Sequence, residues 1–329
     1  MRALQLHGIG DLRLVALPQP TAGPGEVVIR IEAAGICGTD RHLYNGEFPC
    51  IPPVTLGHEF SGVITATGHG VTLPLGARAT CDPNCPCGTC PECRMGRVNL
   101  CRNNRAIGIH MDGGFAEYVK LPAHRAHLLP ADLHPHHGAF CEPLACTIHG
   151  LDLAAPKPGE KVIVLGGGVI GLLACQLARI AGAEVMLVTR QQAKRDLALD
   201  LGATETAAST TEARQLWAEG ANVIIECAGV ADTIEQAPTL AARGGRIVIL
   251  GVLPQGQKTT IEPFDLLFRE ITLIYSFLNP FTQARAAAMI ATGRINVANL
   301  ISRTIPLEDA ADAIANPARA GEVKVLILP

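Results

Sequence analysis

Residues Lys161–Arg190 read KVIVLGGGVIGLLACQLARIAGAEVMLVTR. Lys161–Leu165 is a short apolar strand, Ile170–Ala181 continues as a helix, and Glu184–Thr189 is a second strand. Gly166, Gly168 and Gly171 form the pattern G-x-G-x-x-G between the first strand and the helix. The glycine pattern is weak alone, and the flanking strand, helix and strand supply the context it needs. Such glycines allow a tight turn and let a pyrophosphate approach the backbone at a helix N-terminus. Gly166, Gly168, Val169, Ile170 and Gly171 are therefore the expected dinucleotide-binding loop. Further strands are expected at Asn222–Cys227, Arg246–Leu250 and Ile271–Ser276, with helices at Ala193–Leu201 and Ala231–Ala242 between them. Alternating strands and helices predict a doubly wound parallel sheet, an α/β fold covered on both faces.

The end of the second strand bears on which dinucleotide binds. An NAD site usually carries an acid there, which accepts hydrogen bonds from the ribose. This chain has Thr189 and Arg190, then Gln191, Gln192, Lys194 and Arg195, with no acid before Asp196. An arginine can grip a 2′-phosphate bidentately. At about 1.5–3 kcal/mol per charged hydrogen bond, Arg190 alone could favour NADP(H) over NAD(H) by roughly tenfold to a hundredfold. The alternative is that Arg190 and Arg195 are solvated charges at a helix start.

Outward from this core, residues 1 to about 130 change character. GEVVIRIEAAG (Gly25–Gly35), SGVITATG (Ser61–Gly68) and GGFAEYVKLP (Gly113–Pro122) are short strands separated by turn signals, which suggests a β-barrel or sandwich. Between the first two lies CGTDRHLYNGEFPCIPPVTLGHE (Cys37–Glu59), which reads as a loop rich in glycine and proline. Cysteine, histidine and carboxylate are the ligand types of a zinc site that keeps one position open. Cys87, Cys90, Cys93 and Cys101 follow with spacing C-x2-C-x2-C-x7-C. Four thiolates close a tetrahedron with no free position, as in a structural zinc site. Cys81 and Cys85 are left over. Glu142 stands in an apolar stretch, where a carboxylate is costly unless paired or metal-bound. Pro143 after it makes a helix start there, with Pro143 at the first helical position.

The totals agree with two domains. The chain has 329 residues, 34 glycines, 23 prolines and only 4% aromatics, so the cores must be mostly aliphatic. A net charge of -3 without a basic tract argues against a nucleic-acid partner. The longest uncharged run, Val162–Ala178, is interrupted by glycines and is short for a membrane span. Six of the twelve cysteines crowd between Cys81 and Cys101, which suggests metal binding in a reducing compartment, and a cytoplasmic protein is expected.

Together the motifs CGTDRH at Cys37, GHEFSG at Gly57, the four-cysteine lobe, EPLA at Glu142 and GGGVIG at Gly166 resemble the zinc-dependent medium-chain dehydrogenases over essentially the full length. EPLA looks more like the polyol (sorbitol-type) and threonine dehydrogenases. The resemblance implies a GroES-like β-barrel catalytic domain (1–147, with the lobe at 81–101), a Rossmann cofactor domain (148–284) and a C-terminal return to the catalytic domain (285–329), with the active site in the cleft. It implies zinc-dependent oxidation of a small-molecule alcohol to a carbonyl, with the polyol class favoured over threonine or a simple secondary alcohol. Cys37 and His58 become zinc ligands, and Glu59 and Glu142 ligands or near-ligands. Thr39 and His42 fall where the family has its proton relay, and Lys324 where some members carry a cation near the cofactor phosphates. A homo-oligomer, dimer or tetramer, is usual for such enzymes. A zinc-free quinone reductase, a non-catalytic NADPH-binding protein and a zinc-ribbon module fit the residues less well. Tyr44, Phe115 and Phe277 could line a substrate pocket, or serve as core.

Overall fold

The structure, a computed structural model, describes all 329 residues. It divides into two compact units, Met1–Ala145 with Pro280–Pro329, and Cys146–Asn279.

The first unit is built on a seven-stranded sheet. Its order is Ala126–Leu128, Arg78–Cys81, Glu59–Thr67, Glu26–Gly35, Lys324–Leu328 and Ile301–Pro306, and Tyr118–Pro122 also pairs with Glu26–Gly35. A smaller sheet joins Asp11–Ala16, Arg2–Gly8 and Val54–Thr55. Val27, Ile29 and Ile31 alternate inward along the central strand and pack with Leu4, Phe60 and Ile64 in one aliphatic core. Register decides what gathers at one end of this sheet. Gly35 lies opposite Glu59, antiparallel, so Cys37 leaves one strand where His58 enters the other. Leu326 also lies opposite Gly35, which brings Lys324 to the same end.

Cys37–Glu59 is not all loop. Gly38–Tyr44 forms a seven-residue helix capped at Cys37, whose amide donates to Asp40 Oδ2 at 2.8 Å. One and a half turns are too few to show apolar periodicity in sequence. The helix carrying Glu142 spans Cys141–Ala154 and follows directly on a 3₁₀ segment, Pro135–Phe140. Pro143 is thus the third helical residue, not the first, because the preceding 3₁₀ turn has already set the helical backbone.

The second unit carries a six-stranded, wholly parallel sheet ordered Glu205–Ala207, Glu184–Val188, Lys161–Leu165, Ala221–Glu226, Ala241–Ile249 and Thr272–Tyr275. This is the strand order 3-2-1-4-5-6 of a dinucleotide-binding fold, and its ligand crevice lies where the winding reverses, beside the first strand. Strands fully covered on both faces read as unbroken apolar runs, and Val162–Leu165 and Val223–Ile225 are completely buried. The edge strand Glu205–Ala207 and the helices Thr210–Leu216 and Pro263–Phe268 are too short to announce themselves in sequence. No helix is long and apolar enough to cross a membrane.

Candidate active site and cofactor loop

At the shared end of the first unit's sheet, the ligand atoms of Cys37, His58 and Glu59 all lie within 4.8 Å of one another. Zinc bonds of about 2.0–2.3 Å place tetrahedral ligands roughly 3.3–3.8 Å apart, so the three are close enough that they could share one ion. His58 and Glu59 are buried and Cys37 half-buried. Asp40, fully buried, faces His58: its Oδ1 lies 3.6 Å from Nδ1, and neither atom has another partner. A carboxylate behind an imidazole orients the ring, so that its other nitrogen is offered forward. Lys324 Nζ lies 2.5 Å from Glu59 Oε2 and donates to the Ile36 carbonyl at 3.1 Å; both side chains are buried.

The charges are arranged for a cation. The Cys37 sulfur and the Asp40 and Glu59 carboxyl groups gather around a single buried lysine, a donor set that suits a cation. The same field acts on protons. Burial disfavours a charged His58, yet the Cys37 sulfur and the Asp40 carboxylate outweigh it and hold the imidazolium well above the usual histidine range. Lys324 behaves alike: burial pulls its ammonium down, while Glu59 and Cys37 more than reverse the effect.

Glu142 is buried at the start of its helix and contributes to the negative field on His58, but its carboxylate is outside the compact three-residue set. Thr39 and His42 lie three residues apart on the helix Gly38–Tyr44, hence on one face. His42 Nδ1 meets Glu47 Oε2 at 2.6 Å. Asp40, Glu47 and the Glu59–Lys324 pair were not visible as partners in the sequence. Of the aromatic pocket candidates, Phe115 is completely buried and belongs to the core, Tyr44 packs against that core, and Phe277 is half-exposed.

The four-cysteine set is also assembled. The sulfurs of Cys87, Cys90, Cys93 and Cys101 lie within 4.8 Å of one another, without Cys85. The amides of Thr89 and Cys90 and the Thr89 hydroxyl point at the Cys87 sulfur and bring its thiol down to about 5. Cys93 is pushed up to about 12, first by desolvation and then by its cysteine neighbours. Cys81 is wholly buried, and burial raises its thiol well above the usual range.

In the second unit, Gly168 caps the helix Val169–Ile180. A Cβ on Gly171 would sit 1.9 Å from the Gly166 carbonyl oxygen, so this close helix–loop contact requires glycine. A Cβ on Gly168 would meet nothing within 4 Å, which leaves its side open for a ligand at the helix N-terminus. Thr189 and the stem of Lys194 both pack against Gly167. Arg195 donates to the Thr189 carbonyl at 2.6 Å, while Arg190 is exposed.

Residues 23–131 match the alcohol dehydrogenase GroES-like domain, and residues 169–292 match the zinc-binding dehydrogenase family. A sorbitol dehydrogenase of Halalkalibacterium halodurans is 33% identical, over 98% of this chain and 97% of its own. The chain belongs to the zinc-dependent medium-chain dehydrogenases. It is an oxidoreductase of the alcohol and polyol dehydrogenase class. The galactitol 1-phosphate 5-dehydrogenase of Escherichia coli K12 is 36% identical, with 92% of each chain covered. A solved structure described as a zinc-binding dehydrogenase from Sinorhizobium meliloti 1021 bound to NADP shares 54% identity and a TM-score of 0.98, covering 100% of this chain and 99% of that one. The expected family, its polyol-type branch and the GroES-like plus Rossmann fold are thus borne out.

Proposed function

We propose that this dehydrogenase interconverts a secondary alcohol of a polyol or sugar-derived alcohol and its ketone, using NADP(H) and a catalytic zinc held by Cys37, His58 and a glutamate. A second, structural zinc belongs to Cys87, Cys90, Cys93 and Cys101. The observation that carries this reading is the buried cluster of Cys37, His58 and Glu59, with Asp40 behind the histidine and Lys324 against the glutamate. When bound, zinc polarises the alcohol oxygen and the oxidised nicotinamide cofactor accepts hydride.

The chain's own groups supply the rest. Cys37 and His58 would hold the metal, with Glu59 or Glu142 as the carboxylate ligand. Asp40 fixes the ring of His58. Lys324 is the buried hydrogen-bond and charge partner of Glu59. Thr39 takes the hydroxyl proton and passes its own to His42. Gly166, Gly168 and Gly171, with Val169 and Ile170 at the helix start, receive the pyrophosphate. Thr189, Arg190, Lys194 and Arg195, at and just after the end of the second strand, would receive the 2′-phosphate. The NADP bound to the Sinorhizobium relative supports that preference, and the polyol dehydrogenases among the relatives support the substrate class.

Self-association into a dimer or tetramer is supported by the edge strand Thr272–Tyr275, with Tyr275 exposed and Phe264, Leu267 and Phe268 exposed on the preceding helix. Four thiol ligands must stay reduced, which supports a cytoplasmic location.

The test is a spectrophotometric panel on zinc-loaded protein, with polyols, sugar acids, amino alcohols and simple alcohols, each with NADP⁺ and NAD⁺. A polyol with NADP⁺ should give the highest kcat/KM. In Arg190→Asp the NADP⁺/NAD⁺ ratio of kcat/KM should fall about tenfold to a hundredfold. An unchanged ratio would remove Arg190 from cofactor choice, and turnover of simple alcohols or threonine alone would refute the polyol reading.

A further inference from the structure

The helix Gly38–Tyr44 ends by turning the chain back onto its own histidine. After the C-cap Asn45, Gly46 adopts φ 75°, the left-handed conformation that favours glycine. The Gly46 amide donates to the Leu43 carbonyl at 3.2 Å, and the Glu47 amide to the His42 carbonyl at 2.8 Å. These two bonds together are a Schellman cap. The cap sets the Glu47 backbone beside the last helical turn, and the Glu47 side chain returns to His42, with Oε2 2.6 Å from Nδ1. Backbone geometry and side-chain contact therefore agree on one arrangement.

A carboxylate only accepts hydrogen bonds, so the imidazole nitrogen that faces it carries the proton. Nδ1–H donates to Glu47, and Nε2 is left with the free lone pair. Of the two ring nitrogens, only Nε2 can then receive a proton. His42 and Glu47 side chains are 25% and 37% exposed, so the dyad reaches solvent at one side. Thr39 shares the helix face of His42, one turn closer to Cys37.

We propose that Glu47 is the positioning residue of the proton relay: it fixes the His42 tautomer so that Nε2 is the accepting atom. The inference rests on the alcohol-oxidising role given above to Thr39 and His42. The substrate hydroxyl proton goes to the Thr39 oxygen, the Thr39 hydroxyl proton goes to His42 Nε2, and the imidazolium later releases one proton to water. The Nδ1 proton stays on the ring throughout, donated to Glu47.

Glu47→Gln preserves shape, but its amide can donate to Nδ1 as well as accept from it, so the tautomer is no longer held to one form. Glu47→Ala removes the partner. In the zinc-loaded full chain, both variants and His42→Ala are assayed for kcat, KM, recovery of rate by external imidazole, and Tm. The tautomer of His42 is read separately by ¹⁵N NMR of the imidazole nitrogens, assigned with His42→Ala. The wild-type protein should show His42 protonated at Nδ1. Glu47→Gln should lower kcat about tenfold to a hundredfold with the alcohol KM unchanged. Its His42 should shift toward the Nε2–H form, and added imidazole should recover rate in Glu47→Gln and His42→Ala. Parental kcat in Glu47→Ala as well as Glu47→Gln, beside a slowed His42→Ala, would leave Glu47 a cap residue and overturn the proposal. Parental kcat in His42→Ala would instead show that the relay reading itself is wrong. A wild-type His42 protonated at Nε2 alone overturns the proposal even where the variants fail to fold.

Discussion

Replacing Lys324 by methionine tests the electrostatic core of the site. The Lys324 ammonium and the Glu59 carboxylate are 2.5 Å apart, with side chains 2% and 1% exposed. Methionine keeps most of the stem's volume, so the change is mainly the loss of one charge. Removing one member of a buried ion pair costs about 3–5 kcal/mol, because the other charge stays behind without water or partner. In a unit of this size each kcal/mol moves Tm by about 2–4 °C, so Lys324→Met should lower the calorimetric Tm of the metal-depleted enzyme, where no ion can compensate Glu59, by roughly 6–20 °C. Glu59→Gln/Lys324→Met removes both charges and should recover part of that loss, giving a favourable coupling in a double-mutant cycle. The pH dependence has a definite sign. The folded-state ammonium titrates above the ordinary lysine value of about 10.4, so its contribution is fully present below that value and vanishes as pH rises through the folded pKa. Between neutral pH and about pH 9 the gap between parent and variant should therefore be constant. A Lys324→Met protein melting with the parent, or a double variant no more stable than the single one, would refute the argument.

Gly168→Ala and Gly171→Ala should behave differently. The first has room in the protein and should weaken NADPH binding without lowering Tm. The second drives its Cβ into the Gly166 carbonyl and should cost about 1–3 kcal/mol of stability as well. Equal Tm values measured by calorimetry would show that the close contact is not enforced. In metal-depleted protein at about pH 6.5, iodoacetamide should label Cys87 first and Cys93 last, because only the thiolate reacts. Mass spectrometry showing equal labelling of the four cysteines contradicts the assigned order. Zinc should be held less tightly at the lobe as pH falls, because protons compete with the metal for all four sulfurs. Leu267→Glu should reduce the molar mass found by light scattering, whereas a monomeric parent would remove the basis for that edge as an interface.

Much of the enzyme was written in short stretches of chain. The glycine loop at Gly166, the thiol spacing from Cys87 to Cys101 and the pairing of Cys37 with GHE at His58 are local patterns. Each is legible because one turn, one helix start or one metal ion needs those residue types at that spacing. The parallel sheet followed from alternating apolar strands and helices, for the same local reason. Glu205–Ala207, Thr210–Leu216 and Gly38–Tyr44 escaped because three to seven residues carry no measurable period.

Tertiary structure decided the electrostatics. Lys324 reads in sequence as a cation for cofactor phosphates, yet it lies against Glu59, 265 residues away, because both neighbouring strands take their register from Gly35. No periodicity in the chain encodes that register. Asp40 looks like any acid at a helix start until the fold sets His58 before it. Glu59 and Glu142 were equivalent candidates for the metal, and only the assembled sheet separates them, placing Glu59 within the three-residue set and Glu142 outside it. The chain thus fixes the kinds of ligand through covalent spacing. Strand pairing fixes which charges meet, because a buried charge is tolerated only where the fold delivers its partner.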